Sequence, residues 1–312
     1  MQFELLNSLG KERKSFLFIS DFKAENLEVI LLEDLQKEDI EFTINENYIF
    51  TPHGKTLQKV PLSFDAYKKK FDRVIKKIEA GETYLLNLTQ PTKIKTTLTL
   101  KEIFAHASAH YKLRFKDKFV CFSPEKFIQI EGGKINTFPM KGTIDASIPH
   151  AEQIILNNQK EMAEHVMVVD LLRNDLSIVA THVKVEKFRY VETIEAGEKR
   201  LLQISSHISG HVGEDWYGRI GDILKSLLPA GSISGAPKKS TLKIIQETEE
   251  YERGFFSGVF GVYDGERFDS GVMIRFIEKT EDGFIYKSGG GITVESDAIQ
   301  EYKELLDKIY LP

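Results

Sequence analysis

Apolar side chains recur at helical spacing in several segments of the chain. In residues 63–80 they recur every three or four positions, after a polar cap at Ser63. Residues 151–172 carry the same pattern over a longer stretch, which predicts the best-defined helix of the chain. Shorter patterns predict further helices at residues 98–110, 216–228, 240–250 and 296–310.

Other segments carry the apolar runs and the alternation that are typical of strands. Residues 1–60 are expected to form short strands, with a turn at residues 52–54. Gly132 and Gly133 predict a hairpin turn. Because several predicted strands follow one another without an intervening helix, we expect an α+β fold with antiparallel sheets. The remaining predicted strands lie at residues 84–90, 118–122, 126–131, 134–138, 182–194, 201–212, 258–264, 271–279 and 283–290.

Composition narrows the class of protein. The 312 residues suit about two domains or one large one. The 42 basic and 47 acidic residues give a net charge of −5, which does not suggest a nucleic-acid partner. No uncharged apolar run reaches the ~18 residues that a membrane helix needs, and one cysteine excludes a disulfide framework. We therefore expect a cytoplasmic protein with neither nucleic acid nor membrane as its partner.

Two predicted helices carry closely spaced carboxylates. Glu161 and Glu164 lie three positions apart, and Glu301, Glu304 and Lys308 follow one face of the last helix. Carboxylates that converge from two helices suit Mg²⁺, which takes one or two protein carboxylates and completes its shell with water and substrate. The same spacing is typical of a solvated charged surface, so these residues alone leave both interpretations open.

Two glycine-rich segments could bind an anion through backbone N–H groups. Residues 229–239 (PAGSISGAPKK) precede a predicted helix, and residues 288–292 (SGGGI) follow a predicted strand. The first segment lacks the spacing of a phosphate-binding P-loop. Each segment could equally be a tight turn, since glycine permits the backbone conformations that turns require.

Three further residues have the reactivity or charge that a catalytic site needs. Lys141 lies in FPMKGT and Glu125 sixteen positions earlier in SPEKF, which makes them a candidate nucleophile and acid/base pair. Surface charges are the alternative for both. Arg275 lies in an apolar run, so its guanidinium has to pair with a structural carboxylate or with a bound anion. Cys121 also lies in an apolar run and is expected to be buried rather than nucleophilic.

The order of these segments resembles the chorismate-utilising enzymes. Seven motifs occur in that family's order between residues 63 and 312: SPEKF, PMKGT, KEMAEHVMVVDLLRND, PAGSISGAPK, IR, SGGGI and EYKELLDK. The resemblance implies an α+β fold in which two lobes carry antiparallel sheets packed into a sandwich, with helices outside. It also implies a catalytic domain at residues 61–312 and a shortened β-rich N-terminal region at residues 1–60.

Within that family, the chain resembles the aminodeoxychorismate synthases (component I). Lys141 stands where anthranilate, isochorismate and salicylate synthases usually carry Ala. The resemblance implies Mg²⁺-dependent amination of chorismate at C4 to 4-amino-4-deoxychorismate, a step towards para-aminobenzoate and folate. An anthranilate synthase component I and a non-catalytic chorismate-binding relative are the alternatives.

The same resemblance implies catalytic roles. Lys141 would add to ring C2 of chorismate while Glu125 protonates the departing C4 hydroxyl. Ammonia would then add at C4 and release the lysine, and a separate glutamine amidotransferase subunit would supply this ammonia. The implied Mg²⁺ ligands are Glu164 and Glu304, with Glu161 and Glu301 nearby.

Substrate-binding residues are implied in the same way. Arg275 and the backbone of residues 288–292 would hold the enolpyruvyl carboxylate, and Lys308 the ring carboxylate. Gln203 stands where the family usually carries His, and it cannot shuttle a proton near neutral pH. Leu85 stands where relatives carry Gln, or Lys in the water-adding enzymes, and it cannot activate water. The implied substrate-binding set is Arg275, Lys308, Gln203, Gly235, Ala236, Gly289, Gly290 and Gly291.

Overall fold

The computed structural model describes residues 2–45, 57–196 and 199–311, and the turn predicted at residues 52–54 lies outside them. The helices predicted from apolar spacing are present, with shifted ends. The helix predicted at residues 63–80 begins after Ser63, whose side chain accepts a hydrogen bond from the Ala66 N–H. The α-helices are α1 (Gln2–Lys11), α2 (Phe64–Glu79), α3 (Leu100–His106), α4 (Ala151–Asn157), α5 (Gln159–Val179), α6 (Ile220–Leu227), α7 (Gly231–Ser234), α8 (Lys238–Glu249) and α9 (Ala298–Asp307).

The strands alternate with these helices along the chain. They are β1 (Phe16–Ser20), β2 (Leu27–Leu31), β3 (Ile40–Ile44), β4 (Gln58–Val60), β5 (Leu85–Lys95), β6 (Tyr111–Phe115), β7 (Phe119–Ser123), β8 (Lys126–Glu131), β9 (Lys134–Thr137), β10 (Met140–Asp145), β11 (Thr181–Ala196), β12 (Lys199–His211), β13 (Gly235–Ala236), β14 (Val259–Tyr263), β15 (Phe268–Val272), β16 (Phe276–Thr280) and β17 (Gly283–Ile292). Short 3₁₀ helices cover Leu32–Lys37 and Trp216–Arg219.

Two antiparallel sheets organise the chain, which confirms the predicted fold class. The first sheet has the order β10-β12-β9-β8-β15-β14-β1-β2, with β11 paired to β12. The second has the order β13-β5-β17-β16-β7-β6-β3, with β4 paired to β5. Both sheets combine strands that are far apart in the chain, so neither sheet is built from one continuous segment.

The alternation of side chains along β1 shows how the layers pack. Leu17 and Ile19 join Leu113 of the second sheet in one apolar cluster between the sheets. Phe16 and Phe18, the alternate residues, join a larger cluster that includes α2, α5 and α6. Strand β1 is therefore buried on both faces, between the second sheet and a layer of helices.

Three predicted elements differ from the structure. Residues 1–60 are expected to form short strands throughout, but Gln2–Lys11 form α1, which packs against α6. The helix predicted at residues 151–172 is two helices, because Asn158 is extended and its side chain accepts a hydrogen bond from the Glu161 N–H at the start of α5. The strand predicted at residues 271–279 is also two strands, β15 and β16, which belong to different sheets.

The chain crosses between the sheets at two points that hold candidate site residues. Pro124 and Glu125 form the crossing from β7 to β8, and Ile274 and Arg275 lie in the crossing from β15 to β16. Arg275 has φ = 53°, a left-handed conformation that turns the chain at this point. Both side chains therefore lie at the junction of the two sheets rather than within either of them.

Strands from the first 60 residues belong to both sheets. Strands β1 and β2 extend the first sheet, whereas β3 and β4 extend the second. The division into a region at residues 1–60 and a catalytic domain at residues 61–312 stays a prediction. None of the helices in the described part of the chain is long and apolar enough to cross a membrane.

Candidate active site

A cavity of about 210 Å³ lies where the two sheets meet. Its walls come from the two crossings, from β10, from the glycine-rich end of β17, and from α7 and α9. Most residues that the sequence singles out for chemistry meet here. The predicted site residues that line the cavity are Glu125, Lys141, Gln203, Arg275, Gly289, Gly290, Gly291, Glu304 and Lys308.

Glu125 is one of the two candidate catalytic groups in this cavity. Its Oε1 accepts a hydrogen bond of 2.5 Å from the Ser232 hydroxyl on α7. Burial raises the pKa of the Glu125 carboxyl, and the hydrogen bond from Ser232 and the charge of Lys141 only partly oppose this effect. A carboxyl that retains its proton towards neutral pH can act as a general acid.

Lys141 is the other candidate catalytic group. It lies in β10 beside a bulge at Gly142, whose φ is 80°. Its Nζ lies 3.5 Å from a carboxylate oxygen of Glu164 on α5. A Cβ placed on Gly291 would lie 3.2 Å from the same Nζ. The amine is therefore held between α5 and β17, and glycine on β17 leaves room for it.

Arg275 and Lys308 also face the cavity, and they have different partners. Arg275 donates a 3.4 Å hydrogen bond from Nε to the Tyr310 hydroxyl, and among the described residues it forms no salt bridge. Its remaining donors are available to an anionic ligand. The Lys308 ammonium donates to the Gly289 carbonyl at 2.8 Å and pairs with Glu304 at 2.6 Å. Burial lowers the pKa of Lys308, and the pairing with Glu304 opposes that shift.

The four predicted metal ligands lie on α5 and α9, and of these Glu304 lines the cavity whereas Glu161, Glu164 and Glu301 do not. Carboxylate oxygens of Glu301 and Glu304 lie 3.2 and 3.8 Å from the position of a Cβ on Gly290, and Glu161 lies 3.1 Å from the corresponding position on Gly142. In the described ranges, no three or more His, Cys, Asp or Glu side chains are close enough to hold a metal ion. Mg²⁺ needs only one or two protein carboxylates, so this donor set fits the ion. Its binding stays a prediction.

Gly235 and Ala236 lie elsewhere, which corrects their placement in the substrate-binding set. They form β13 and pair with Leu86 and Leu85 of β5 instead of lining the cavity. Gly235 has φ = 123°, and a Cβ there would lie 1.9 Å from the Leu85 carbonyl oxygen. Glycine is therefore required for close backbone packing. The PAGSISGAPKK segment reaches the cavity through Ser232 and its neighbour instead.

Several cavity residues were missed by sequence reasoning. Ser232 belongs to a recognised motif, but its bond to Glu125 joins positions 107 residues apart. Lys287 directly precedes SGGGI and is buried, with its Nζ 2.5 Å from Glu278. The glycine-rich segments drew attention to both regions without indicating these contacts. The missed polar residues of the cavity include Asn87, Ser232, Ser257 and Lys287.

The sequence of this chain is similar to those of known proteins. A family profile described as chorismate binding enzyme matches residues 11–311. An uncharacterized PabA-like protein from Haemophilus influenzae is 47% identical over 313 residues, which cover 99% of this chain and 95% of that protein. Aminodeoxychorismate synthase component 1 from Salmonella typhimurium is 31% identical over 258 residues, or 78% of this chain and 56% of that protein. Anthranilate synthase component 1 from Aeropyrum pernix is 30% identical over 276 residues, or 83% and 61%.

Solved structures carry the same architecture. The menaquinone-specific isochorismate synthase MenF from Escherichia coli matches with a TM-score of 0.75 over 97% of this chain and 79% of that one. The two sequences are 15% identical, so the match concerns the fold alone. This chain spans only slightly more than half the length of the aminodeoxychorismate synthase relative.

Proposed function

Because the chain belongs to the chorismate binding enzyme family, we propose that it aminates chorismate at C4 and releases 4-amino-4-deoxychorismate and water. One observation carries the proposal: the Lys141 amine and the Glu125 carboxyl, whose pKa is raised by burial, line the same cavity. A primary amine and a protonated acid are the two groups that a covalent displacement of hydroxide needs. The family relationship supports chorismate as the substrate on which they act.

The first displacement uses Lys141 as nucleophile. Its nitrogen forms a bond to ring C2, the two ring double bonds shift, and the C4–O bond breaks. Glu125 gives its proton to the departing oxygen, which leaves as water. The hydrogen bond from Ser232 fixes one carboxyl oxygen, which leaves the other to face the leaving group.

The second displacement restores the enzyme. The ammonia nitrogen bonds to C4, the double bonds shift back, and the C2–N bond breaks with its electron pair returning to the Lys141 amine. The new C4 ammonium gives one proton to the Glu125 carboxylate. Chorismate and ammonia are thereby converted to aminodeoxychorismate and water, with both residues returned to their starting states.

The two carboxylates of chorismate require cationic or N–H partners. Arg275 is suited to the enolpyruvyl carboxylate, because its guanidinium has donors to spare beside the backbone of residues 289–291. Lys308 is suited to the ring carboxylate. Glu164 and Glu304, with Glu161 and Glu301 beside them, would hold Mg²⁺, whose charge would neutralise the ring carboxylate.

The proposed reaction needs a source of ammonia. Cys121, the chain's one cysteine, lies fully buried in β7, and burial raises the pKa of its thiol. Such a thiol is not a glutaminase nucleophile. We therefore propose a separate glutamine amidotransferase subunit as the source, and a cytoplasmic location for the pair.

Anthranilate synthesis is the second candidate, because relatives with that name match this chain at nearly the same identity. The deciding experiment incubates the purified chain with chorismate, Mg²⁺ and ammonium at mildly alkaline pH. Mass spectrometry identifies the product before and after addition of the lyase that converts aminodeoxychorismate to para-aminobenzoate. Para-aminobenzoate supports the proposal, and anthranilate supports the second candidate. Chorismate binding without turnover in the presence of an amidotransferase contradicts both.

A further inference from the structure

The Arg275 guanidinium has one hydrogen-bond partner among the described residues, the hydroxyl of Tyr310. The donor is Nε, at 3.4 Å, and Cζ lies 5.8 Å from the centre of the Tyr310 ring. A guanidinium has five N–H donors, one on Nε and four on the two terminal nitrogens. The contact with Tyr310 therefore engages Nε and leaves both terminal nitrogens for a ligand.

One buried residue, Phe122 of β7, contacts both members of this pair. Its backbone N–H donates to the Arg275 carbonyl at 3.2 Å, and its ring packs edge-on against the Tyr310 ring, with 6.1 Å between the ring centres. Ile309 is fully buried in the same apolar cluster as Phe122, and it anchors the segment that carries Tyr310. The hydroxyl and the guanidinium are therefore held next to each other by the core of the protein.

Tyr310 does not line the cavity, whereas Arg275 does. An effect of the Tyr310 hydroxyl on a ligand in the cavity therefore has to pass through the guanidinium. A guanidinium can hold a carboxylate with Nε and one terminal nitrogen, or with both terminal nitrogens. Because Tyr310 engages Nε, only the second arrangement gives the carboxylate two hydrogen bonds and also keeps the contact with Tyr310.

We propose that Tyr310 is a positioning residue, which orients the Arg275 guanidinium so that its two terminal nitrogens bind the enolpyruvyl carboxylate of chorismate. The inference rests on the proposed function, which supplies this carboxylate. An arginine side chain loses rotational freedom when it binds a ligand, and that loss weakens binding. The Tyr310 hydroxyl already restricts the guanidinium in the free protein, so less ordering remains for the ligand to impose.

The test measures the dissociation constant of chorismate by isothermal titration calorimetry, with Mg²⁺ and without ammonia. Tyr310→Phe keeps the ring against Phe122 and removes the acceptor oxygen. It should raise the dissociation constant about three- to tenfold, because the ligand alone then has to order the guanidinium. In turnover, the KM for chorismate should rise by the same factor and kcat should stay unchanged.

Arg275→Met provides the second arm of the test. In that background, Tyr310→Phe should change the dissociation constant less than about twofold, because the hydroxyl has no guanidinium to orient. A hydroxyl with a purely structural role would not show this dependence on Arg275. If Arg275→Met does not fold, as judged by circular dichroism, Arg275→Gln carries the same comparison.

Tyr302→Phe is the matched control. Tyr302 lies on α9, its hydroxyl donates to the Leu62 carbonyl, and it does not line the cavity. The substitution removes the same group from a nearby part of the chain. It should leave the dissociation constant of chorismate within about twofold of the wild-type value.

An unchanged dissociation constant in Tyr310→Phe would overturn the inference. An equal rise in the Arg275→Met background would also overturn it, because the hydroxyl would then act independently of Arg275, and so would an equal rise in Tyr302→Phe. A wild-type chain that binds no chorismate would overturn this inference and the proposed function together. Release of anthranilate by a chain that shows the expected dissociation constants would support this inference and contradict the proposed function alone.

Discussion

Two arginines near the cavity have opposite surroundings. Arg253 is 3% exposed, and it donates to both carboxylate oxygens of Glu249 and to the carbonyls of Ile233 and Asn87 at 2.6–3.1 Å. Arg275 has one long hydrogen bond, to Tyr310, and within the described residues no salt bridge. The first guanidinium makes four hydrogen bonds within the protein, whereas the second makes one and keeps most of its N–H donors for another partner.

This contrast separates charges that hold the fold from charges that bind a ligand. A buried cation with every donor satisfied fixes the elements that it joins, and its removal leaves its partner carboxylate uncompensated. A cation with spare donors at a cavity adds little to stability and is suited to an anion. Substitutions at the two kinds of position should therefore affect activity and stability differently.

Replacement of the candidate nucleophile should have the largest effect. Lys141→Ala should lower formation of the 4-amino product about a thousandfold or more, because the proposed covalent step forms its bond with this amine. The fold should stay intact, since the side chain is 25% exposed. Product formation measured by mass spectrometry with lyase coupling checks this prediction, and circular dichroism checks the fold.

Lys238→Ala is the matched control for Lys141→Ala. Lys238 is 23% exposed and also pairs with a carboxylate, Asp175, at 3.2 Å, but it does not line the cavity. Its replacement should leave the rate of amination within about threefold of the wild-type value. Normal product formation by Lys141→Ala would contradict the covalent role of this lysine.

The two arginines should respond in opposite ways to the same substitution. Arg253→Met leaves Glu249 buried without its partner and should lower the free energy of unfolding by about 3–5 kcal/mol. Arg275→Met loses one long hydrogen bond and should change it by about 1 kcal/mol or less. The KM for chorismate should instead rise about a hundredfold in Arg275→Met, because charge-assisted bonds to a carboxylate are lost. Urea unfolding and steady-state kinetics separate the two effects, and a similar loss of stability in both variants would remove the distinction.

Two carboxylates that each pair with a lysine should differ in how their replacement changes the Mg²⁺ dependence of activity. Glu304→Ala should raise the Mg²⁺ concentration needed for half-maximal activity about ten- to a hundredfold. Glu247→Ala is the control, since Glu247 is 51% exposed and pairs with Lys243 one turn away, as the 55% exposed Glu304 pairs with Lys308. Activity of both variants is measured over a Mg²⁺ titration after treatment with a chelator. An unchanged titration of Glu304→Ala would contradict its assignment as a ligand.

The spacing of apolar residues predicted much of the secondary structure. It failed for elements that depend on contacts between distant parts of the chain. Helix α2 follows from apolar spacing and a serine cap, which are both local signals. Helix α1 was missed because its stability depends on packing against α6, more than two hundred residues away, where Gly221 admits the backbone of Phe3. The break at Arg275 was missed because an apolar run gives no sign that its two halves belong to different sheets.

The candidate site shows the same limit. The order of motifs predicted that Glu125, Lys141 and Arg275 belong together, and all three line one cavity. Side chains that join these residues to the rest of the protein were not predictable, because such contacts depend on strand register. Asn87 is the clearest case, since its position relative to Lys141 follows only from its pairing with Gly291.

The smallest expected effect concerns the pH dependence of stability at Glu125. Burial raises the pKa of this carboxyl in the folded protein, so the folded chain retains the proton to higher pH than the unfolded chain does. The stability contributed by the protonated group is fully present below the unfolded pKa, near pH 4, and is lost as pH rises through the folded pKa. Glu125→Gln cannot ionise, so its free energy of unfolding relative to the wild-type chain should increase over that range and then level off.

Ser232→Ala removes a hydrogen bond that lowers the pKa of Glu125, so the loss of stability in this variant should continue to higher pH than in the wild-type chain. Urea unfolding at a series of pH values measures both effects. At a pH where Glu125 is ionised, Glu125→Gln should stabilise the chain, whereas Arg253→Met should destabilise it. This contrast would show that the protein compensates the charge of Arg253 but not the charge of Glu125. A difference that decreases as pH rises would instead place this carboxyl among the charges that hold the fold, and a pH-independent difference would mean that folding leaves its pKa unchanged.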